Sequence, residues 1–168
     1  MGRIRSMAFV SILVVAGMAG TCPAQAQSAP KPSDNWLLEA PDDAERFKRI
    51  QQMFGGFSAA MMVVAERYNR TYDALADENY DLAVYHWKKI REAIELGFLR
   101  RPGREANSVT LFLNGPWQPA MDALTAKDRS RAREAFQAGR SACMMCHAAE
   151  KVPFMNDQPI FRRTAAFP

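Results

Sequence analysis

DRSRAREAFQAGRSACMMCH, residues 128–147, is the stretch on which the fold turns. Asp128 is a helix-capping residue type. Ala132, Phe136, Gly139, Cys143 and Cys146 then recur at steps of three and four, the period of one helix face. The stripe ends in sulfur and imidazole where an ordinary core stripe would end in leucine or valine. Cys143-Met144-Met145-Cys146-His147 sets two thiols and an imidazole at i, i+3 and i+4, which share one side of a helix.

Working outward, the same period predicts three more helical stretches upstream. Residues 27–41 (QSAPKPSDNWLLEAP) mix prolines with polar residues and read as an extended lead-in. From Asp42, Phe47, Ile50, Phe54, Phe57, Met61, Val64, Tyr68 and Leu75 follow mostly at helical steps. They predict one long first helix, with Gly55-Gly56 weakening its middle. Residues 76–79 form a turn, and Tyr80, Ala83, Trp87, Ile90, Ile94 and Gly97 make the second seam. Arg100-Arg101-Pro102-Gly103 is a strong stop. The third segment is apolar from Val109 to Leu113, breaks at Asn114-Gly115-Pro116, and resumes with Trp117, Met121 and Leu124. The expected fold is all-α: an antiparallel four-helix bundle over residues 42–150 with an interrupted third helix. An irregular C-terminal tail, residues 151–168, wraps as a strap.

Residues 1–26 have the anatomy of a secretory signal peptide: Arg3 and Arg5, then apolar Met7 to Gly20, then Ala24-Gln25-Ala26. The apolar run is shorter than the roughly twenty residues of a spanning helix. Cys22 suggests a lipid anchor, but Thr21 and Ala19 make a poor lipobox, and cleavage after Ala26 is expected. Cleavage leaves 142 of the 168 residues. It removes two arginines, so 22 Lys and Arg become 20 against 18 Asp and Glu, and the formal charge falls from +4 to +2. That balance gives no argument for nucleic-acid binding, which draws on a surplus of cations for the phosphates, and no nucleic-acid partner is expected. No later stretch is apolar enough to insert in a membrane, so the mature protein is expected to be periplasmic.

The pentapeptide Cys-x-x-Cys-His is a c-type haem attachment pattern. Two thiols one helical turn apart can reach two vinyl groups of one porphyrin, and the adjacent imidazole then lies under the iron. The competing readings are a structural disulfide, a thioredoxin-like pair and a zinc site. A thioredoxin-like pair needs a strand–helix setting, and zinc needs a second ligand pair where only His86 remains. No nucleophilic triad, paired carboxylates or phosphate loop accompanies the motif, so no enzyme activity is expected.

A single Cys143…Cys146-His147 motif on the last of four helices resembles the class II c-type cytochromes, the cytochrome c prime family. The segments Ala59-Ala60-Met61-Met62 through Arg67-Tyr68 and Arg100-Arg101-Pro102 are also similar to exported haem-binding four-helix relatives, as is the basic Lys151 just past the motif. The interrupted third helix and the prolyl tail depart from the family. The resemblance implies one covalently attached haem c, with Cys143 and Cys146 as thioethers and His147 as proximal iron ligand. It implies a periplasmic monohaem cytochrome carrying single electrons between redox partner proteins, and a homodimer through the first two helices.

In that family a first-helix residue lies over the distal haem face. Met61, on the seam between Phe57 and Val64, fits by phase. Met53 fits by depth along the helix, and all the first-helix methionines can instead be core filler. An apolar distal residue would leave five-coordinate iron that binds gases such as NO or CO. A further alternative is a haem subunit of a larger exported oxidoreductase. Phe54, Phe57, Tyr68, Trp87, Trp117 and Phe136 are the aromatic residues that could line the pocket. Arg129, Arg131, Arg133 and Arg140 read as a solvated face, or as charges for haem propionates or an acidic partner.

Overall fold

Helix starts follow from three short polar side chains. The carboxylate of Asp42 accepts from the Glu45 N–H at 2.8 Å, the amide oxygen of Asn79 from the Leu82 N–H at 3.2 Å, and the carboxylate of Asp128 from the Arg131 N–H at 3.1 Å. Each satisfies an N–H that the first turn of a helix leaves unpaired. They open α1 (Asp43–Phe54), α3 (Tyr80–Arg100) and α6 (Arg129–Ala149). The computed structural model describes residues 34–167, so the expected leader at 1–26 lies outside the described residues. Residues 34–36 belong to a first unit and form a turn; the second unit begins at Leu37 and holds α1 and all the helices that follow it.

Three helix ends are closed in one way. Glu78, Lys127 and Lys151 adopt positive φ of 55°, 55° and 61°. The following N–H then reaches back five residues: Asn79 to the Ala74 carbonyl at 2.8 Å, Asp128 to Ala123 at 3.1 Å, and Val152 to His147 at 2.9 Å. This left-handed closure is usually made by glycine, so each of the three carries some backbone strain.

The long first helix expected from the sequence is two helices. Gly55 has φ +68° and ends α1, and α2 (Phe57–Ala76) starts afresh after Gly56. The apolar stripe of α1 therefore falls out of line with that of α2. Phe47 and Phe54 are 67% and 56% exposed, and α1 buries no residue. From α2 onward the expectation holds. α2 packs along α3, where Gly97 has no room for a side chain: a Cβ there would lie 2.7 Å from the Phe57 ring and 3.0 Å from Ala60. The third segment is interrupted as its sequence implied. A 3-10 turn (Pro102–Arg104), α4 (Glu105–Ser108) and a wide π turn (Val109–Leu113) lead to α5 (Trp117–Thr125). The Arg91 guanidinium donates to the Leu113 carbonyl at 3.1 Å and stacks 3.9 Å from the Trp117 ring, tying the break to α3.

Trp87 is the pivot of the core, fully buried on α3. Its indole N–H donates to the Trp117 carbonyl at 2.9 Å, and the Trp117 indole N–H donates back to the Trp87 carbonyl at 3.3 Å. Both indoles thus bury their rings without losing a hydrogen bond. Gly139 of α6 lies directly beneath, where a Cβ would come within 2.8 Å of the Trp87 ring. Phe136 stacks on Tyr68 at 4.5 Å and joins α6 to α2.

The tail forms a 3-10 turn (Pro153–Asp157) and a short helix α7 (Pro159–Arg163) before crossing the α2–α6 seam. Arg140 donates twice to the Phe161 carbonyl, at 3.1 and 2.8 Å, and Gln137 donates to the Thr164 carbonyl at 2.9 Å. The Tyr72 hydroxyl donates to the Ala166 carbonyl at 2.8 Å, and Arg163 pairs with Asp73. The arginines of α6 are thereby largely engaged: Arg140 holds the strap, Arg133 lies over the Phe167 ring, and Arg129 pairs with Glu78. Arg131 remains exposed.

Candidate functional site

Cys143, Cys146 and His147 lie in the last two turns of α6, and each turns to a different neighbour. The two cysteines are free thiols. Cys143 packs against the apolar core, and burial, reinforced by the neighbouring Cys146, pushes its thiol up to about 12. Burial also raises Cys146, against the opposing pull of a hydrogen bond with Ser108 and the charge of Arg104. Both are held as neutral thiols. α4 is clamped to this end of α6, where Arg104 pairs with Glu150 and the Asn107 amide donates to the same carboxylate at 2.7 Å.

His147 faces the strap. Its Nδ1 is 2.9 Å from the amide oxygen of Asn156, and its ring meets Phe161 edge-on at 5.6 Å and 87°. Asn156 and Phe161 had no signature in the sequence beyond lying in the prolyl tail. Ser108 and Arg104 were equally invisible, because α4 reaches Cys146 only through the fold.

α2 borders the site. Tyr72 and Tyr68 both meet Phe136, and Tyr68 also neighbours Cys143. Residue numbers thus fall along α2 as they rise along α6, so the helices run antiparallel. Met61 of α2 is half-buried against the core. Met53 is 65% exposed on α1, and Met62 is 75% exposed. Phe57, Met61, Phe98 and Val109 are partly buried where they pack on the core, as are Tyr80, Val84, Met121 and Phe167 elsewhere around it.

Two further placements bear on the site. The Tyr68 hydroxyl is buried beside Cys143 and the Thr164 side chain of the strap, and burial holds its phenol far above the ordinary range. His86 is buried on the α2–α3 seam, its Nδ1 3.2 Å from the Arg67 guanidinium. Burial first, and the Arg67 charge second, lower its pKa. The arginine fixes Nδ1 as the acceptor, so His86 is a neutral packing residue. Trp87 and Trp117 are committed to each other. Of the six aromatics expected at the pocket, Tyr68 neighbours Cys143 and stacks on Phe136, Phe57 packs against Phe98, and Phe54 is exposed on α1.

The chain matches no protein-family model, no curated protein and no solved structure. What its architecture carries is a general shape, an all-α bundle consistent with the cytochrome c prime-like superfamily. Among the described residues no helix is long and apolar enough to cross a membrane.

Proposed function

We propose that the protein is a periplasmic monohaem c-type cytochrome of class II type that passes single electrons between partner proteins and performs no bond chemistry of its own. The observation that carries the reading is the pairing of two free thiols with an imidazole whose Nδ1 is already engaged. Cys143 and Cys146 would hold haem c as thioethers, and His147 would present Nε2 to the iron. Phe57, Met61 and Phe98 are partly buried and offer apolar surface that a large, mostly apolar group can cover. When bound, the haem supplies the one-electron couple; the residues around it exclude water and fix the ligands. Met61 is the preferred distal ligand over Met53, because it packs half-buried on the core whereas Met53 is exposed on α1.

The test is the optical spectrum of the haem-loaded protein, oxidised, reduced, and reduced under carbon monoxide. A low-spin spectrum indifferent to carbon monoxide is expected, and Met61→Ala should convert it to high spin. A high-spin spectrum that shifts with carbon monoxide would make the protein a gas binder of five-coordinate iron. Covalent haem on a Cys143→Ser, Cys146→Ser double variant would sink the attachment itself.

A second reading, a haem subunit of a larger exported oxidoreductase, is favoured by the exposed apolar residues on α1 and the end of α3. Phe47, Phe54, Leu96 and Leu99 are 67%, 56%, 56% and 81% exposed, the mark of a contact face. Co-elution with a larger haem-free protein in a periplasmic extract would support it.

A further inference from the structure

We infer that Asn156 is a positioning residue for the His147 imidazole, fixing its tautomer and setting how strongly it donates to iron; the second part rests on the haem reading above. The geometry is a closed bridge. The Asn156 amide oxygen is 2.9 Å from His147 Nδ1, while its Nδ2 donates to the Met144 carbonyl at 3.2 Å. That second bond orients the amide. Turned over, its oxygen would face the Met144 carbonyl, and two acceptors would oppose each other. With the oxygen toward the ring, Nδ1 carries the hydrogen and Nε2 keeps the lone pair that a metal requires.

The bridge is held from several directions. The Val152 N–H closes on the carbonyl of His147 itself at 2.9 Å, and the Met155 N–H continues the turn to the Val152 carbonyl at 3.0 Å. The Gln158 amide donates to the Met155 carbonyl at 3.0 Å. Beyond it Arg140 grips Phe161, whose ring meets the imidazole edge-on. The prolyl tail therefore delivers one neutral acceptor to the outer nitrogen of the imidazole. An acceptor at Nδ1–H draws the proton outward and makes Nε2 a better donor, which favours ferric over ferrous iron. A side-chain amide sits between no acceptor and a carboxylate, so its replacement should move the balance either way.

The experiment compares full-length wild-type protein with Asn156→Asp and Asn156→Leu, each haem-loaded, by reduction potential and by the iron–imidazole stretch in resonance Raman. Asp should lower the potential and raise the stretch, and Leu should do the reverse. A change in ferric-over-ferrous preference on the order of tenfold is expected, which is about 59 mV for one electron. Equal potentials and stretches in all three proteins, or the opposite order, would overturn the inference. Asp is nearly isosteric with Asn and keeps the test valid should Leu fail to fold. A second arm needs no haem: ¹⁵N shifts of His147 in the haem-free chain should report Nδ1–H in wild type and loss of that preference in Asn156→Leu. A proton on Nε2 in wild type would overturn the tautomer assignment. Failure of wild type to take up covalent haem would refute the proposed function and leave this second arm readable.

Discussion

Before haem is attached, the neutral thiol of Cys143 should make the protein sensitive to alkali. Burial moves this group from 9.0 to about 12 on folding. Above pH 9 the unfolded chain releases a proton that the folded chain retains, so the unfolded state binds fewer protons and stability falls as pH rises. The contribution is fully present below pH 9 and is lost progressively between 9 and 12. Between pH 8 and pH 10 the loss from this one group is about 1.4 kcal/mol, one pH unit past the unfolded value at 1.36 kcal/mol per unit. With a urea m-value of about 1–3 kcal/mol/M, the midpoint should drop by roughly 0.5–1.4 M. The assay is urea unfolding of the haem-free protein under a thiol reductant at both pH values, beside Cys143→Ala. Wild type should lose about 1.4 kcal/mol more than the variant across that interval. Equal losses in the two proteins would refute the claim that folding buries this thiol in its neutral form. Thioether formation removes the titrating group, so the haem-loaded protein should lack this component.

Three further outcomes follow from packing. Gly139→Ala should destabilise by about 1–2 kcal/mol in urea unfolding, because its methyl meets a Trp87 ring pinned by two hydrogen bonds and overpacking outweighs the gain in helix propensity. Trp117→Phe should lose about 1–3 kcal/mol in the same assay, since the Trp87 carbonyl loses the donor that reaches it from Trp117. Lys151→Gly should raise the melting temperature, gaining about 0.5–1 kcal/mol by relieving a positive φ that glycine adopts freely.

How far these features could be foreseen depended on whether the responsible force was local. The periodic seams of α2, α3 and α6 were legible because helix faces are written at fixed spacing, and the break at Asn114-Gly115-Pro116 because those residues disfavour continuation. The division at Gly55 was misread: the apolar period runs straight through it, and only the left-handed backbone of that glycine reveals the turn. In the candidate site the Cys143, Cys146 and His147 cluster could be seen because it lies within one turn and a half of a single helix. Asn156, Ser108 and Phe161 reach that cluster only after the chain has doubled back. The same limit applies to the arginines of α6, whose carbonyl and ring partners in the strap are tertiary.

The strap also ties distant parts of the sequence together. Its anchors on α2 lie far upstream: the Tyr72 hydroxyl donates to the Ala166 carbonyl across 94 residues, and Arg163 pairs with Asp73 across 90. Arg140 and Gln137 hold the same segment from α6. Phe161, whose ring meets the His147 imidazole, is therefore kept in place by side chains that never touch the imidazole themselves. The surroundings of His147 are in that sense a property of the whole bundle and not of the helix that bears it.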